Sequence, residues 1–304
     1  MSKYFEATLR ARNLQPAVMA EPSNGAHPSA VTEIESAEAV PAIPVPETRP
    51  NCAPASKVAI ERNVCVPFDK VPQLQFGKGN SLGAVEESYR GLRTRLLRLR
   101  SALGLRSVVI TSAVQGEGKT LTSLNLALCC AQLNDMRILL VDSDIRSAGL
   151  SKKLALPEEN GLSDVLSGRC KPEEAVFSTD VPNLYVLGAG AGSAAPAELF
   201  ADHRWSDFLS WCHKGYGLVL VDSPPVLNLS DVELITAGCD GVLMIVRALM
   251  TNRQTLEKCA GQIDSKKLLG LIYNGTDSST RSGYEYGTEG PRKGPVAVSD
   301  LKTV

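Results

Sequence analysis

The residues Gly116, Glu117, Gly118, Lys119 and Thr120 follow a short apolar run, SVVITS (107–112), and lead into a segment with Leu121, Leu124, Leu128 and Leu133 at helical spacing. Glycines at such a junction let successive backbone N–H groups turn toward one anion. A lysine there reaches the outer phosphates of a nucleotide, and a threonine hydroxyl can ligate Mg²⁺. Nucleotide contacts are therefore expected from Gly116 through Glu117, Gly118, Lys119 and Thr120 to Leu121, where the helix begins. A strict phosphate-loop pattern wants Gly at the position of Ala113; the strand, loop and helix order supplies the context that the missing glycine weakens.

Acids recur at the ends of two further apolar runs. LLVDSDIR (139–146) carries Asp142 and Asp144, and LVLVDSPP (218–225) carries Asp222. A hard cation such as Mg²⁺ takes oxygen ligands, keeps several waters and binds through few carboxylates plus substrate phosphates. Any one of these acids could open a turn or cap a helix. Three of them at strand ends, beside a phosphate loop, suit a metal–nucleotide site better.

Such residues need a scaffold that gathers strand ends. After residue 105 the runs SVVITS, RILLVD, LYVLG, LVLVD, GVLMIV and LLGLIYN alternate with helical stretches. The alternation predicts an α/β P-loop fold: a mostly parallel sheet covered by helices on both faces, with ligands beyond the carboxyl ends of the strands. Upstream, Val85, Tyr89, Leu92, Leu96, Leu99 and Leu103 step by four and three, predicting a helix over 81–104. Glu86, Glu87, Arg90, Arg93, Arg95 and Arg98 are expected to point away from that stripe, as a solvated face or as a subunit contact. Trp205, Phe208 and Trp211 should pack a helix onto the sheet, and Cys129 and Cys130 should lie in or near the core. Arg146 is open to phosphate, a neighbouring subunit or a surface ion pair.

Composition narrows the classes. With 32 Lys and Arg against 33 Asp and Glu, no overall field draws the chain to nucleic acid or anionic lipid. The eight cysteines contain no C-x-x-C pair and the three histidines have no zinc-ligand spacing, which speaks against a structural metal. With no signal peptide, reduced thiols in the cytosol are expected. No apolar run approaches the roughly 20 residues that span a bilayer. Ten of the 18 prolines precede residue 76, and VPAIPVPETRPNCAPAS (40–56) can build neither helix interior nor central strand, so roughly residues 15–75 read as a disordered linker.

On GEGKT (116–120), LLVDSDIR and LVLVDSPPV, the chain resembles the bacterial tyrosine kinases, the cytoplasmic autokinases of capsular and exopolysaccharide export. EESYRGLRTRL (86–96) is similar to that family's oligomerisation helix, its Glu-x-x-Arg-x-x-Arg pattern falling on Glu87, Arg90 and Arg93. APAELF (195–200) resembles the family's Pro-Ser-Glu-Leu segment. LLGLIYN ends on Asn274, where the family places a base-binding asparagine. The resemblance implies Mg-ATP as cofactor, Lys119 stabilising the transferring phosphate, and Thr120 on the metal. It implies that Asp142 and Asp144 share metal positioning and activation of the acceptor phenol, and that Asp222 holds the metal through water; either of the first two can serve as the base, with a lean to Asp144.

RSGYEYG (281–287) then supplies the acceptors, Tyr284 and Tyr286, phosphorylated in trans within a ring of copies. A separate membrane co-polymerase of polysaccharide export is the implied activator, holding the protein at the inner face of the plasma membrane. The implied organisation is a Pro-rich disordered region (1–80), an oligomerisation helix (81–104), a P-loop kinase domain (105–275) and a flexible tail (276–304). Two features depart from the family: Gln115 stands where Pro is usual, and the tyrosine cluster is short. The nearest other class, partitioning ATPases of the MinD/ParA type, carries a second lysine early in the loop, where this chain has Val114. A non-enzymatic ATP-binding regulator of an export complex is the third reading.

Overall fold

The computed structural model describes residues 65–68, 83–227 and 230–275. Its strands are β1 (Cys65–Val66), β2 (Ser107–Ser112), β3 (Ile138–Asp142), β4 (Val176–Thr179), β5 (Leu184–Leu187), β6 (Leu218–Asp222), β7 (Gly241–Arg247) and β8 (Leu268–Asn274). They form one sheet in the order β1-β4-β5-β3-β6-β2-β7-β8. Every pairing is parallel except that of β4 with β5. All six runs read as strands are strands. The two that pattern reading misses, β1 and β4, are the shortest kind, and β4 is joined to β5 by a tight 180–183 connection that makes an antiparallel pair.

The runs are apolar almost throughout because both faces of the sheet are covered. Alternate residues of β2 and β3 feed opposite cores: Val108, Ile110, Ile138 and Leu140 pack on one side with Leu124 and Leu128. Val109, Leu139 and Val141 pack on the other with Trp205, Phe208 and Tyr216. The helices are α1 (Gly83–Leu103), α2 (Lys119–Ala131), α3 (Gly149–Lys153), α4 (Leu162–Ser167), α5 (Pro172–Ala175), α6 (Pro196–Ala201), α7 (His203–Gly215), α8 (Ser230–Gly238) and α9 (Arg253–Ala260). Cys129 and Cys130 of α2 are fully buried, as expected. On α7, Trp205 and Phe208 are buried and Trp211 is half-buried, its indole N–H donating to Glu173.

Three expectations need correction. Residues 65–68 fall inside the stretch read as a linker, yet β1 pairs with β4, and Val66 and Phe68 are core residues. Asp180 secures them, its carboxylate accepting from the Phe68 N–H and its own N–H donating to the Val66 carbonyl. The remainder of 1–80, apart from these four residues, and the tail lie outside the described residues. The stripe of α1 runs through Tyr89, Leu92, Leu96 and Leu99 with Leu97 beside it, but ends there, since Leu103 is 48% exposed. Arg93 does not point away from the core. Its guanidinium donates to the Cys129 carbonyl at 2.7 Å, satisfying an acceptor in the last turn of α2 that has no helical partner.

Candidate active site

Strand β2 lies between β6 and β7, and the chain leaves its carboxyl end through residues 113–118 to enter α2. Gly116 and Gly118 have φ of 88° and 93°, a left-handed backbone that glycine alone adopts cheaply. Gly118 is doubly constrained, because a Cβ there would stand 2.2 Å from the Asn274 side-chain nitrogen. Lys119 is the first residue of α2, and its Nζ lies 3.7 Å from Asp144 Oδ2. Thr120 and Leu121 follow in the first turn of α2.

The acids converge because of sheet order and register. β3 and β6 are neighbours, and Asp142 pairs directly with Asp222, so adjacent strands about 4.8 Å apart end on facing carboxylates. Asp142 is fully buried. Its Oδ2 accepts from the Ser151 N–H (2.8 Å) and Oγ (2.7 Å), and its Oδ1 from the Asp144 N–H (3.2 Å). Burial raises its pKa to about 6 against the pull of the Ser151 bonds, with Asp144 adding to the rise. Asp222 is pushed up to about 7, by burial first and then by Asp142, while Lys119, Thr120 and Ser123 pull it down. Its Oδ1 accepts from Ser123 Oγ at 2.9 Å, but Oδ2 accepts no hydrogen bond from the described residues.

Two facing buried carboxylates, with one oxygen unsatisfied beside a threonine hydroxyl, fit a hard divalent cation: the donors are all oxygen, and the charge that burial penalises is the charge a cation would neutralise. Among the described residues no group of three or more His, Cys, Asp and Glu could hold an ion alone. Mg²⁺ completes its shell with water and phosphate.

The remaining predicted residues are placed by their contacts. The Glu117 side chain is fully buried and turned away from the loop's mouth, so only its backbone is available to a nucleotide. Asn274, at the end of β8, donates from Nδ2 to the Glu117 carbonyl at 2.9 Å, joining the loop to the sheet edge. Arg146 pairs with buried Asp231 (Nε to Oδ2, 2.7 Å). Glu87 and Arg90 remain exposed on α1, 3.7 Å apart, with Arg90 also bound to Glu86 at 2.6 Å. Tyr284 and Tyr286 lie outside the described residues. Sequence reading overlooked Ser123 and Ser151. Ser123 sits one turn after Thr120 on the same face of α2, a signal that could have found it; Ser151 reaches Asp142 only because α3 folds back on β3.

Comparison with known proteins agrees with this geometry. The family described as AAA domain matches residues 105–266. Tyrosine-protein kinase YwqD of Bacillus subtilis is 32% identical over 203 residues, 66% of this chain and 85% of its own length. EpsB of Ralstonia nicotianae is 33% identical over 205 residues, 66% of this chain but only 26% of that longer protein. Among solved structures, the kinase domain of the Escherichia coli tyrosine kinase ETK aligns with a TM-score of 0.61 at 27% identity, over 66% of this chain and 80% of that one. With the phosphate loop, the facing carboxylates and these relatives in agreement, the chain belongs to the bacterial tyrosine-protein kinases, built on an AAA domain.

Proposed function

We propose that this kinase transfers the γ-phosphoryl group of Mg-ATP to Tyr284 and Tyr286 of a neighbouring copy within a homo-oligomer. The observation that supports the reading most is the meeting of Lys119, Asp142, Asp144 and Asp222 at the mouth of the phosphate loop. Phosphoryl transfer asks for alignment and charge neutralisation more than for covalent chemistry. Lys119 stands where it can meet charge on the transferred group. Asp144, ion-paired to it, is the group assigned to accept the phenol proton. Thr120, Asp142 and Asp222 would hold Mg²⁺, Asp222 through water; when bound, the ion neutralises charge on the phosphate oxygens. Asn274 is assigned to the base, and Glu87 and Arg90, the exposed members of the Glu-x-x-Arg-x-x-Arg pattern, to contact with the next copy.

The biological setting is also a proposal: control of polysaccharide polymerisation and export. No helix among the described residues is long and apolar enough to cross a membrane. The matched stretch is about a quarter of EpsB, so in that relative a long additional sequence accompanies the kinase part. A separate membrane co-polymerase would fill that place here and hold the kinase at the inner face of the plasma membrane.

Incubation of the full chain with Mg-ATP followed by mass spectrometry tests the chemistry. Phosphate is expected on Tyr284 and Tyr286, absent from Lys119→Met, and nearly absent when both tyrosines are changed to Phe. ATP consumption with no phosphotyrosine would instead favour an ATPase or a nucleotide-sensing regulator.

A further inference from the structure

A carboxylate inside an anion-binding loop opposes the phosphate that the loop must hold, so Glu117 needs a reason. Its side chain is fully buried, and its donors come from two segments. Oε2 accepts from the Val114 N–H at 2.9 Å, within the loop itself. Oε1 accepts from the N–H of Arg247, the last residue of β7, at 3.2 Å and from the hydroxyl of Thr251 in the connection from β7 to α9. Arg247 returns a bond, its Nη1 donating to the Gly116 carbonyl at 3.2 Å, and Met250 lies against Gly116, its Cε 3.3 Å from where a Cβ would stand. On the other side, the Glu117 carbonyl accepts from Asn274. One residue thus ties the phosphate loop to residues 247–251 and to the end of β8.

We propose that Glu117 is a positioning residue that sets the spacing between the phosphate loop and Asn274, the residue assigned above to the base, acting through residues 247–251, since Arg247 pairs with Asn274 across β7 and β8 and the Ala248 N–H donates to the Asn274 carbonyl. The inference rests on the nucleotide-binding reading above. ATP spans both ends of the site and needs them in register, whereas inorganic tripolyphosphate needs the loop alone. Loss of the tie therefore penalises the nucleoside part of ATP selectively. Thr251 is the cleaner place to cut, because its hydroxyl meets Glu117 without being part of the loop.

Calorimetric titration of the full chain with Mg-ATP and with magnesium tripolyphosphate tests this, for wild type, Glu117→Gln and Thr251→Val. Both variants are expected to bind ATP about tenfold more weakly, the scale of one charge-assisted hydrogen bond, with tripolyphosphate changed less than about threefold. In kinase assays of Thr251→Val, KM for ATP should rise while kcat holds. Parallel losses for both ligands would overturn the inference by showing that the loop itself had been damaged. Unchanged ATP binding in Thr251→Val would overturn it even if Glu117→Gln failed to fold. Wild type that binds no ATP would sink the nucleotide-binding reading and this inference together.

Discussion

Asp222 is enclosed by protein, faces Asp142 across a strand pair and has one oxygen with no hydrogen bond from the described residues. With its pKa raised to about 7, the folded state holds this proton more tightly than the unfolded chain. Its contribution to stability therefore falls as pH rises from the ordinary carboxylate range near 4 through about 7, and is flat above. Asp142, raised to about 6, adds a decline with the same sign over a lower window. Asp222→Asn removes the buried charge but keeps an acceptor for Ser123. In divalent-free buffer at pH 8 it should melt higher than wild type, by on the order of 2 kcal/mol or about 5 °C, with the difference shrinking toward pH 5. The same variant should lose kinase activity. A melting curve that is lower at pH 8 would mean that this carboxylate supports the fold rather than costing it. Lys119→Met should reduce turnover at least about a hundredfold, the usual cost of one charge aimed at a developing anion, with little change in melting.

At the scale of elements, α1 performs two tasks on opposite sides. Its apolar stripe and Arg93 attach it to the core and to α2, while Glu87 and Arg90 stay at the surface. Arg93→Ala leaves the Cys129 carbonyl without its charged donor and should cost about 1–3 kcal/mol, read as a lower melting temperature. Arg90→Ala gives up only exposed ion pairs, so melting should move by less than about 1 kcal/mol, while the proposed contact between copies weakens and light scattering reports a smaller assembly. Spacing alone could not separate these arginines. Three residues along a helix turn a side chain by most of a turn, and only the position of α2 decides which of the two meets a carbonyl. The strands were more legible: six fully or nearly apolar runs announce a sheet covered on both faces. β1 escaped because its period-two signal, Val64, Val66 and Phe68, is brief and surrounded by prolines.

For the whole molecule, the site was legible as a set of residue types at strand ends, since a parallel sheet must gather its carboxyl ends on one edge. What stayed hidden was set by register and return paths: Asp142 facing Asp222, Ser151 folding back on Asp142, and the Glu117 carboxylate accepting from Val114 and Arg247. None of these contacts has a sequence period. The tail is a different matter, because the role proposed for it depends on charge rather than packing. The chain carries a formal net charge of −1, and phosphate on Tyr284 and Tyr286 would add about −3 to −4 per copy. Brought to a neighbour's site already lined by Asp142, Asp144 and Asp222, that charge favours separation of the copies. Autophosphorylated protein should therefore form smaller assemblies than the same protein after phosphatase treatment, as measured by light scattering at 0.1 M salt. Raising salt toward 1 M, where screening shortens from about 10 Å to about 3 Å, should restore part of the larger form. Protein with both tyrosines changed to Phe should keep its size whatever the ATP. Equal assemblies before and after phosphatase, at every salt, would leave the modification without this electrostatic lever and place its effect in the partner's recognition of the tail.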